Sequence, residues 1–329
     1  MAHARFSLSR RTLLTAVGAA AAASACGPGT QSPGPGSGAT KAVTHPYGTS
    51  QVPVSPKRVI ALDPGQALQI ALEHQVPLVA SATLDADPPV PPYLPAPAQP
   101  FEHLGFGQVD VEKLATFGPD LIIGNTASLQ DKYPAVSGLA PTVAYANTRD
   151  KVEWYDAALT VADIFGVREA QQRKLDEYRR RASQFRERHK QVLAARKVVL
   201  LRFTTDELRI ITDSVIFPSR VLTDAGVQRT ASSAPAKAGD TYTRLSTELV
   251  GTLADADVII HFSGGGAFDG GQVTSTFTKY TSGDLWKRLP AVQAGRVFEV
   301  PRTSWWDGGS TSAATAMLTD LDGILPKIG

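Results

Sequence analysis

Two adjacent tryptophans, Trp305 and Trp306, stand in a polar, Gly/Ser-rich stretch near the end of the chain. Consecutive residues of a strand face opposite ways, so one side of a strand cannot hold both. The pair either caps a core or lends at least one ring to a flat apolar wall for a large planar or flexible ligand. Arg202 closes the apolar run from Val198 to Leu201. In a cleft its guanidinium would offer a fork of donors to anionic oxygens; at the surface it would only form an ion pair. Arg220, Arg244 and Arg302 offer the same chemistry with less support from their surroundings. These residue types recognise a ligand rather than break a bond.

The motifs of catalysis are missing. The sequence has no G-x-S-x-G, H-E-x-x-H or G-x-x-x-x-G-K. Ser263-Gly264-Gly265-Gly266 has the look of a phosphate loop, but the G-x-G-x-x-G pattern fails at Asp269, and a flexible cleft loop is the better reading. The chain is therefore expected not to be an enzyme, with an exported hydrolase using paired carboxylates as a remote rival. His45, His74, His103, His189 and His261 are widely spaced, so no metal ligated by side chains is expected. The single cysteine, Cys26, excludes a disulfide framework.

That cysteine has a different context. Residues 1–25 place Arg10-Arg11 before an alanine-rich apolar stretch ending in small residues, which is the layout of an export signal of twin-arginine type. The stretch is shorter than the roughly 20 apolar residues that a membrane span needs. Ala23-Ser24-Ala25-Cys26 resembles a lipobox, so Cys26 is the expected lipidation site. Arg5, Arg10 and Arg11 lie in this leader and no acidic residue does, so the formal charge of +2 belongs to it, and no nucleic-acid partner is expected. Gly- and Pro-rich residues 26–40 read as a flexible tether. The body would face outward from a cell membrane, extracytoplasmic and held by a lipid.

The elements that must position Arg202 and the tryptophans form an alternating pattern. Val59–Leu62, Val76–Ala80, Leu121–Ile123, Lys197–Leu201 and Val258–Ile260 read as short buried strands separated by helical stretches, with Leu208–Ile211 a further candidate. That pattern predicts an α/β fold of three-layer lobes with mostly parallel sheets. Two segments repeat. Glu112-Lys113-Leu114 precedes Pro119-Asp120-Leu121-Ile122-Ile123, and Glu248-Leu249-Val250 precedes Ala256-Asp257-Val258-Ile259-Ile260. The repeat divides the body into similar lobes over 41–167 and 196–329. Between them, Leu175, Tyr178, Ala182, Phe185 and Leu193 form the apolar stripe of one long helix over 168–195.

Together these segments resemble the iron–siderophore substrate-binding lipoproteins of ABC importers. Pro56–Leu62 is similar to that family's first strand, Val109–Leu114 with Pro119–Ile123 to its most recognisable motif, Leu245–Glu248 with Ala256–Ile260 to the counterpart in the second lobe, and Gly295–Pro301 to its last strand. The resemblance implies two lobes joined by one helix that limits closure, with the ligand in the cleft between them. It implies a monomer with no cofactor of its own, in which Fe3+ travels inside a siderophore. Ligands of such sheets gather at the carboxyl ends of strands, which selects Arg202, Tyr242, Trp305, Trp306, Phe106 and Tyr93 as ligand-binding candidates. Tyr242 stands where some hydroxamate-siderophore binders carry a tryptophan. Phe106 stands where some of them carry an arginine, which leaves the siderophore class open. A haem or corrinoid carrier of the same fold, with His103 or Tyr242 as axial ligand, and a non-transporting envelope scaffold are the alternatives. Matching glutamates of the family pair with arginines on the two permease subunits, which makes Glu112 and Glu248 the expected docking residues.

Overall fold

The computed structural model describes residues 38–107, 109–264 and 271–329. The export signal, Cys26 and most of the tether lie outside the described residues. Thr40, the last residue of the expected tether, is already the first residue of a strand: Thr40–His45 pairs antiparallel with Gly48–Pro53.

The first lobe is built on a five-stranded parallel sheet in the order Glu102–His103, Leu78–Ser81, Val59–Ala61, Leu121–Asn125, Thr142–Tyr145. Its side chains alternate between two covered faces. Val59, Ala61, Leu121, Ile123 and Val143 pack on one side with helices Gln66–Glu73 and Trp154–Ile164. Ile60, Ile122 and Ala144 pack on the other with Leu114 and Leu129. Burial on both faces is why these strands read as continuous apolar runs.

The second sheet keeps the same core but is mixed. Lys197–Phe203, Val258–Ser263 and Val297–Glu299 run parallel. Lys197–Phe203 also pairs antiparallel with Leu208–Ile211, which pairs antiparallel with Tyr242–Leu245. The cause is the four-residue turn at 204–207, closed by Thr204 N–H donating to the Glu207 carbonyl at 3.0 Å. A parallel crossover needs a dozen or more residues, and a connection this short returns the chain as a hairpin.

The repeated motif has a structural half. The Asp120 carboxylate accepts from the backbone N–H groups of Lys57 and Arg58 at 2.7 and 2.9 Å, pinning the strand beside it. Asp257 does the same to Lys197 N–H at 2.8 Å in the other lobe. Leu114 and Val250 are buried in their respective cores. The two glutamates do not share in this work. Both are exposed, Glu112 in the helix Val111–Thr116 and Glu248 in the 3-10 segment Thr247–Asp255.

Helix Arg168–Ala195, about 42 Å long at 1.5 Å per residue, buries the expected stripe against the second lobe. Tyr178 donates to Asp224 at 2.9 Å, and His189 lies 2.7 Å from Asp322 on the last long helix, Thr311–Ile324. A belt of contacts joins the lobes. Glu73 accepts from the Thr311 hydroxyl and from Ser312 N–H at 2.8 and 2.6 Å. Gln69 donates to the Asp307 carbonyl and accepts from Gly309 N–H, at 2.8 and 3.2 Å. Arg220 pairs with Glu153 at 2.8 Å. Trp154 enters the core of the second lobe, edge-on to Phe217 and Tyr178. The seam is close-packed at Gly309, where a Cβ would stand 3.0 Å from the Gln66 side chain of the first lobe.

Candidate ligand-binding cleft

Strand register assembles the site. Arg202 lies opposite Arg209, and Arg209 lies opposite Arg244 on the next strand. Cross-strand partners project from the same face, and neighbouring strands are about 4.8 Å apart. Three arginines therefore form a row across three strands.

Each inner member of the row rests on an aromatic ring. The Arg202 guanidinium carbon lies 4.2 Å from the centre of the Trp306 ring, and that of Arg209 lies 4.1 Å from the centre of the Tyr242 ring. Such stacking holds a guanidinium flat against the ring. Trp306 is itself backed by Phe262, with ring centres 5.8 Å apart. Arg202, buried, also donates through Nε to the Gly264 carbonyl at 2.9 Å. Glu207, from the hairpin turn, accepts from Arg209 Nε at 2.5 Å and from Arg244 Nε at 2.8 Å. This carboxylate raises the pKa of Arg244, whose side chain is 71% exposed at the outer end of the row. The turn and row together hold three guanidinium groups and one carboxylate, an arrangement suited to multiply charged anionic oxygens.

The first lobe faces this wall with its own strand-end loops. Arg302 donates to the Asp85 carbonyl at 2.6 Å, and Tyr93 donates to the Thr303 carbonyl at 2.9 Å. The turn after the first strand is fixed by Asp63, which is buried, receives the Tyr145 hydroxyl at 2.8 Å and accepts from Gly65 N–H at 3.0 Å. Burial pushes the Asp63 pKa up to about 6, and the hydrogen bonds from Tyr145 and the backbone hold it from going further.

The sequence-derived candidates separate into groups. Arg202, Trp306 and Tyr242 come together through Arg209. Trp305 does not join them. It ends the short helix Arg302–Trp305, is 0% exposed and donates its indole N–H to Asp320 at 2.8 Å, so it is a core residue of the second lobe rather than a ligand contact. Tyr93 is a strut: its ring packs on the cores of both lobes and its hydroxyl is spent on Thr303. Phe106 is 45% exposed, and among the described residues no ring contact links it to the arginine row. Arg220 belongs to the pair with Glu153 and Arg302 to a pair with Asp307 at 3.5 Å. His103 is exposed and stacks on Phe101, with ring centres 4.9 Å apart. Among the described residues no three His, Cys, Asp or Glu side chains converge as metal ligands.

Arg209 and Glu207 escaped the sequence reading. The available signal was an arginine inside the apolar segment Leu208–Ile211, a hairpin turn away from Arg202. Folding 202–209 back about the turn places the two arginines opposite each other.

A family model described as Periplasmic binding protein matches residues 59–303. Two proteins of Bacillus subtilis (strain 168) are similar over most of their length. YhfQ, a candidate ABC transporter substrate-binding lipoprotein, is 28% identical over 87% of this chain and 88% of its own. YfiY, a candidate siderophore-binding lipoprotein, is 29% identical with the same coverage. Among solved structures, Staphylococcus aureus SirA complexed with staphyloferrin B superposes with a TM-score of 0.72 at 23% identity, covering 87% of this chain and 99% of its own. A FhuD fold-family component of a Fep/Fec-like ferrichrome ABC transporter from Bacillus subtilis gives 0.71 at 19% identity, covering 86% and 99%. These two structures share the fold of two lobes and a connecting helix.

Proposed function

The chain belongs to the periplasmic binding protein family, and from that premise we propose that it is an extracytoplasmic lipoprotein that captures a ferric siderophore and hands it to an ABC importer. The names of YhfQ and YfiY and the staphyloferrin B held by SirA support this reading. The observation that carries it is the row Arg202–Arg209–Arg244 with its inner members laid on Trp306 and Tyr242. Stacked guanidinium groups fit a ligand that is large, partly flat and negatively charged. The favoured cargo is therefore an anionic ferric complex of carboxylate or catecholate type rather than a neutral trishydroxamate. Iron is cargo here, enclosed by its chelator, and the protein contributes donors and rings rather than metal ligands.

The export signal, lipidation at Cys26 and the tether would keep the monomeric body at the outer face of the membrane. Glu112 and Glu248 would meet the two permease subunits, one glutamate per lobe. In support, the aspartate and the apolar residue of each repeat serve the fold while the glutamate remains exposed.

Tryptophan fluorescence tests the ligand class, because Trp306 lies in the proposed wall. Ferric citrate, a ferric catecholate, ferrioxamine and haem are titrated in turn. Saturable, sub-micromolar quenching by an anionic ferric complex, with much weaker response to ferrioxamine, is the expected outcome. Preference for haem would favour the carrier alternative, and no response to any of the four would remove the transport reading.

A further inference from the structure

The surface beside Glu248 holds more than a carboxylate. A hollow of about 280 Å³ opens next to it, between the 3-10 segment Thr247–Asp255, the helix Gly271–Thr281 and the short helix Asp284–Lys287. Its floor is apolar: Val250, Tyr280 and Trp286 are buried side chains whose edges line it. Leu285 lines its rim and is 42% exposed, and Leu249, which follows Glu248, is 54% exposed. Only four large hydrophobic residues are prominently exposed among the described residues; one of them, Leu285, lines the hollow, and another, Leu249, stands between two of its lining residues, Glu248 and Val250. Apolar side chains gathered around a concavity are a mark of protein contact, whereas scattered ones need no explanation.

Charge narrows the partner. The Glu248 carboxylate is held below the usual carboxylate range by its own backbone N–H, then by Ser246 and Thr247, all local donors. Among the described residues no Lys or Arg forms an ion pair with it. Asp284 adds a second carboxylate to the lining. The one cation in the lining, Lys279, reaches over the Tyr280 ring at 5.9 Å, and its charge adds a smaller part to the lowering of the Glu248 pKa. A surface that combines two carboxylates with an apolar hollow accepts a cation and a bulky apolar side chain at the same time.

At the matching place in the first lobe a lysine stands where the second has a leucine. Lys113 follows Glu112 where Leu249 follows Glu248, and Lys113 is tied to Glu102 at 2.7 Å. One docking point is thus ionic, and the other is ionic and apolar.

We propose that the hollow beside Glu248 receives a bulky apolar side chain of the permease, carried next to the arginine that meets Glu248, so that the two lobes dock on unlike sites and the protein sits on its transporter one way round. The proposal rests on the docking reading of Glu112 and Glu248 given above.

The test uses the full-length exported protein in cells lacking their own copy. Two double variants are compared, Leu249→Ser with Leu285→Ser, and Glu112→Ala with Glu248→Ala. Uptake is followed with radioiron as the citrate or catecholate complex, whichever the protein binds, and binding of the same complex is measured in solution. The leucine variant is expected to need about tenfold more protein for half-maximal uptake, the loss that follows when an interface anchor is truncated. Its solution binding and melting temperature stay unchanged because both leucines are exposed. Normal uptake by the leucine variant with loss in the glutamate variant overturns the hollow and leaves glutamate docking standing. Normal uptake in both overturns the docking reading itself. A photo-crosslinker, Leu285→p-benzoylphenylalanine, gives a second measurement that does not depend on uptake. Capture of a permease subunit supports the proposal, whereas capture of a second copy of this chain or of no protein overturns it.

Discussion

Replacing Glu73 by alanine tests whether the two lobes are held by the belt between them. Glu73 is buried at the end of a first-lobe helix, and its carboxylate receives two donors from the start of helix Thr311–Ile324 in the other lobe. One is the Thr311 hydroxyl, shared between both carboxylate oxygens at 2.8 and 3.0 Å; the other is Ser312 N–H at 2.6 Å. Hydrogen bonds to a charged group contribute about 1.5–3 kcal/mol each, and a carboxylate at a helix N-terminus adds about 0.3–2 kcal/mol. These contributions share one group and do not sum. Alanine also leaves a buried hydroxyl and a backbone N–H without their acceptor. We expect Glu73→Ala to cost about 3 kcal/mol, which at this chain length lowers Tm by roughly 5 °C. Glu73→Gln keeps one acceptor oxygen but turns an amide N–H toward a donor, so it should lie between the two. Urea unfolding followed by circular dichroism, with m compared between variants, measures the loss. A cost below about 1 kcal/mol for alanine, or a glutamine variant as stable as the parent, would refute the assignment of this contact as a lobe fastener.

Three other expectations concern the site and its frame. Arg244→Gln removes an exposed charge at the end of the row and should weaken an anionic ferric complex about tenfold in fluorescence titration, with ferrioxamine affinity unmoved; equal loss for both would sink the charge argument. Trp306→Ala should lose ligand affinity by about 1–2 kcal/mol, since it removes the ring beneath Arg202, at small cost in stability. Trp305→Ala should instead cost about 3–5 kcal/mol of unfolding free energy, and the reverse pattern in melts and titrations would show the pair misassigned. Asp63 holds its proton in the folded state up to a pH of about 6, above the ordinary aspartate value of 3.8. The folded state therefore binds more protons than the unfolded one in that window, so its contribution to stability is full below about pH 4 and is lost as pH rises through about 6. Asp63→Asn should remove this slope from a plot of unfolding free energy against pH, and an unchanged slope would contradict it.

Much of the frame was legible because burial leaves a period in the sequence. The strands Val59–Ala61, Leu121–Asn125 and Lys197–Phe203 are covered on both faces and read as apolar runs. The connecting helix buried the five stripe residues read from its spacing. The aspartates of the repeat were visible, although their work of pinning a neighbouring strand through backbone N–H groups was not, since that partner lies about sixty positions away. The site was harder. Arg209 is recognisable only once the chain is folded back about a four-residue turn, and pattern alone reads that segment as one more strand of a parallel sheet. The tryptophans part company because a helix ends between them: Trp305 is its last residue and Trp306, at φ −123°, has left it. Tyr93 reaches from one lobe to a carbonyl of the other, a distance in sequence of 210 residues that no local pattern encodes. Helix Thr311–Ile324 opens on small residues and carries little apolar contrast in its first turns, so it left no stripe to read.

The belt across the seam bears on traffic at the membrane. A carrier whose lobes are fastened through Glu73, Gln69 and the Glu153–Arg220 pair would present nearly the same outline empty and full. A transporter that grips it by the rims of both lobes then meets the two forms on similar terms. If the rims are the docking surface, empty protein would occupy the same dock as loaded protein and act as its competitor. Throughput would be governed by the loaded fraction at the surface, so that more carrier with the same supply of ferric complex would slow import rather than speed it.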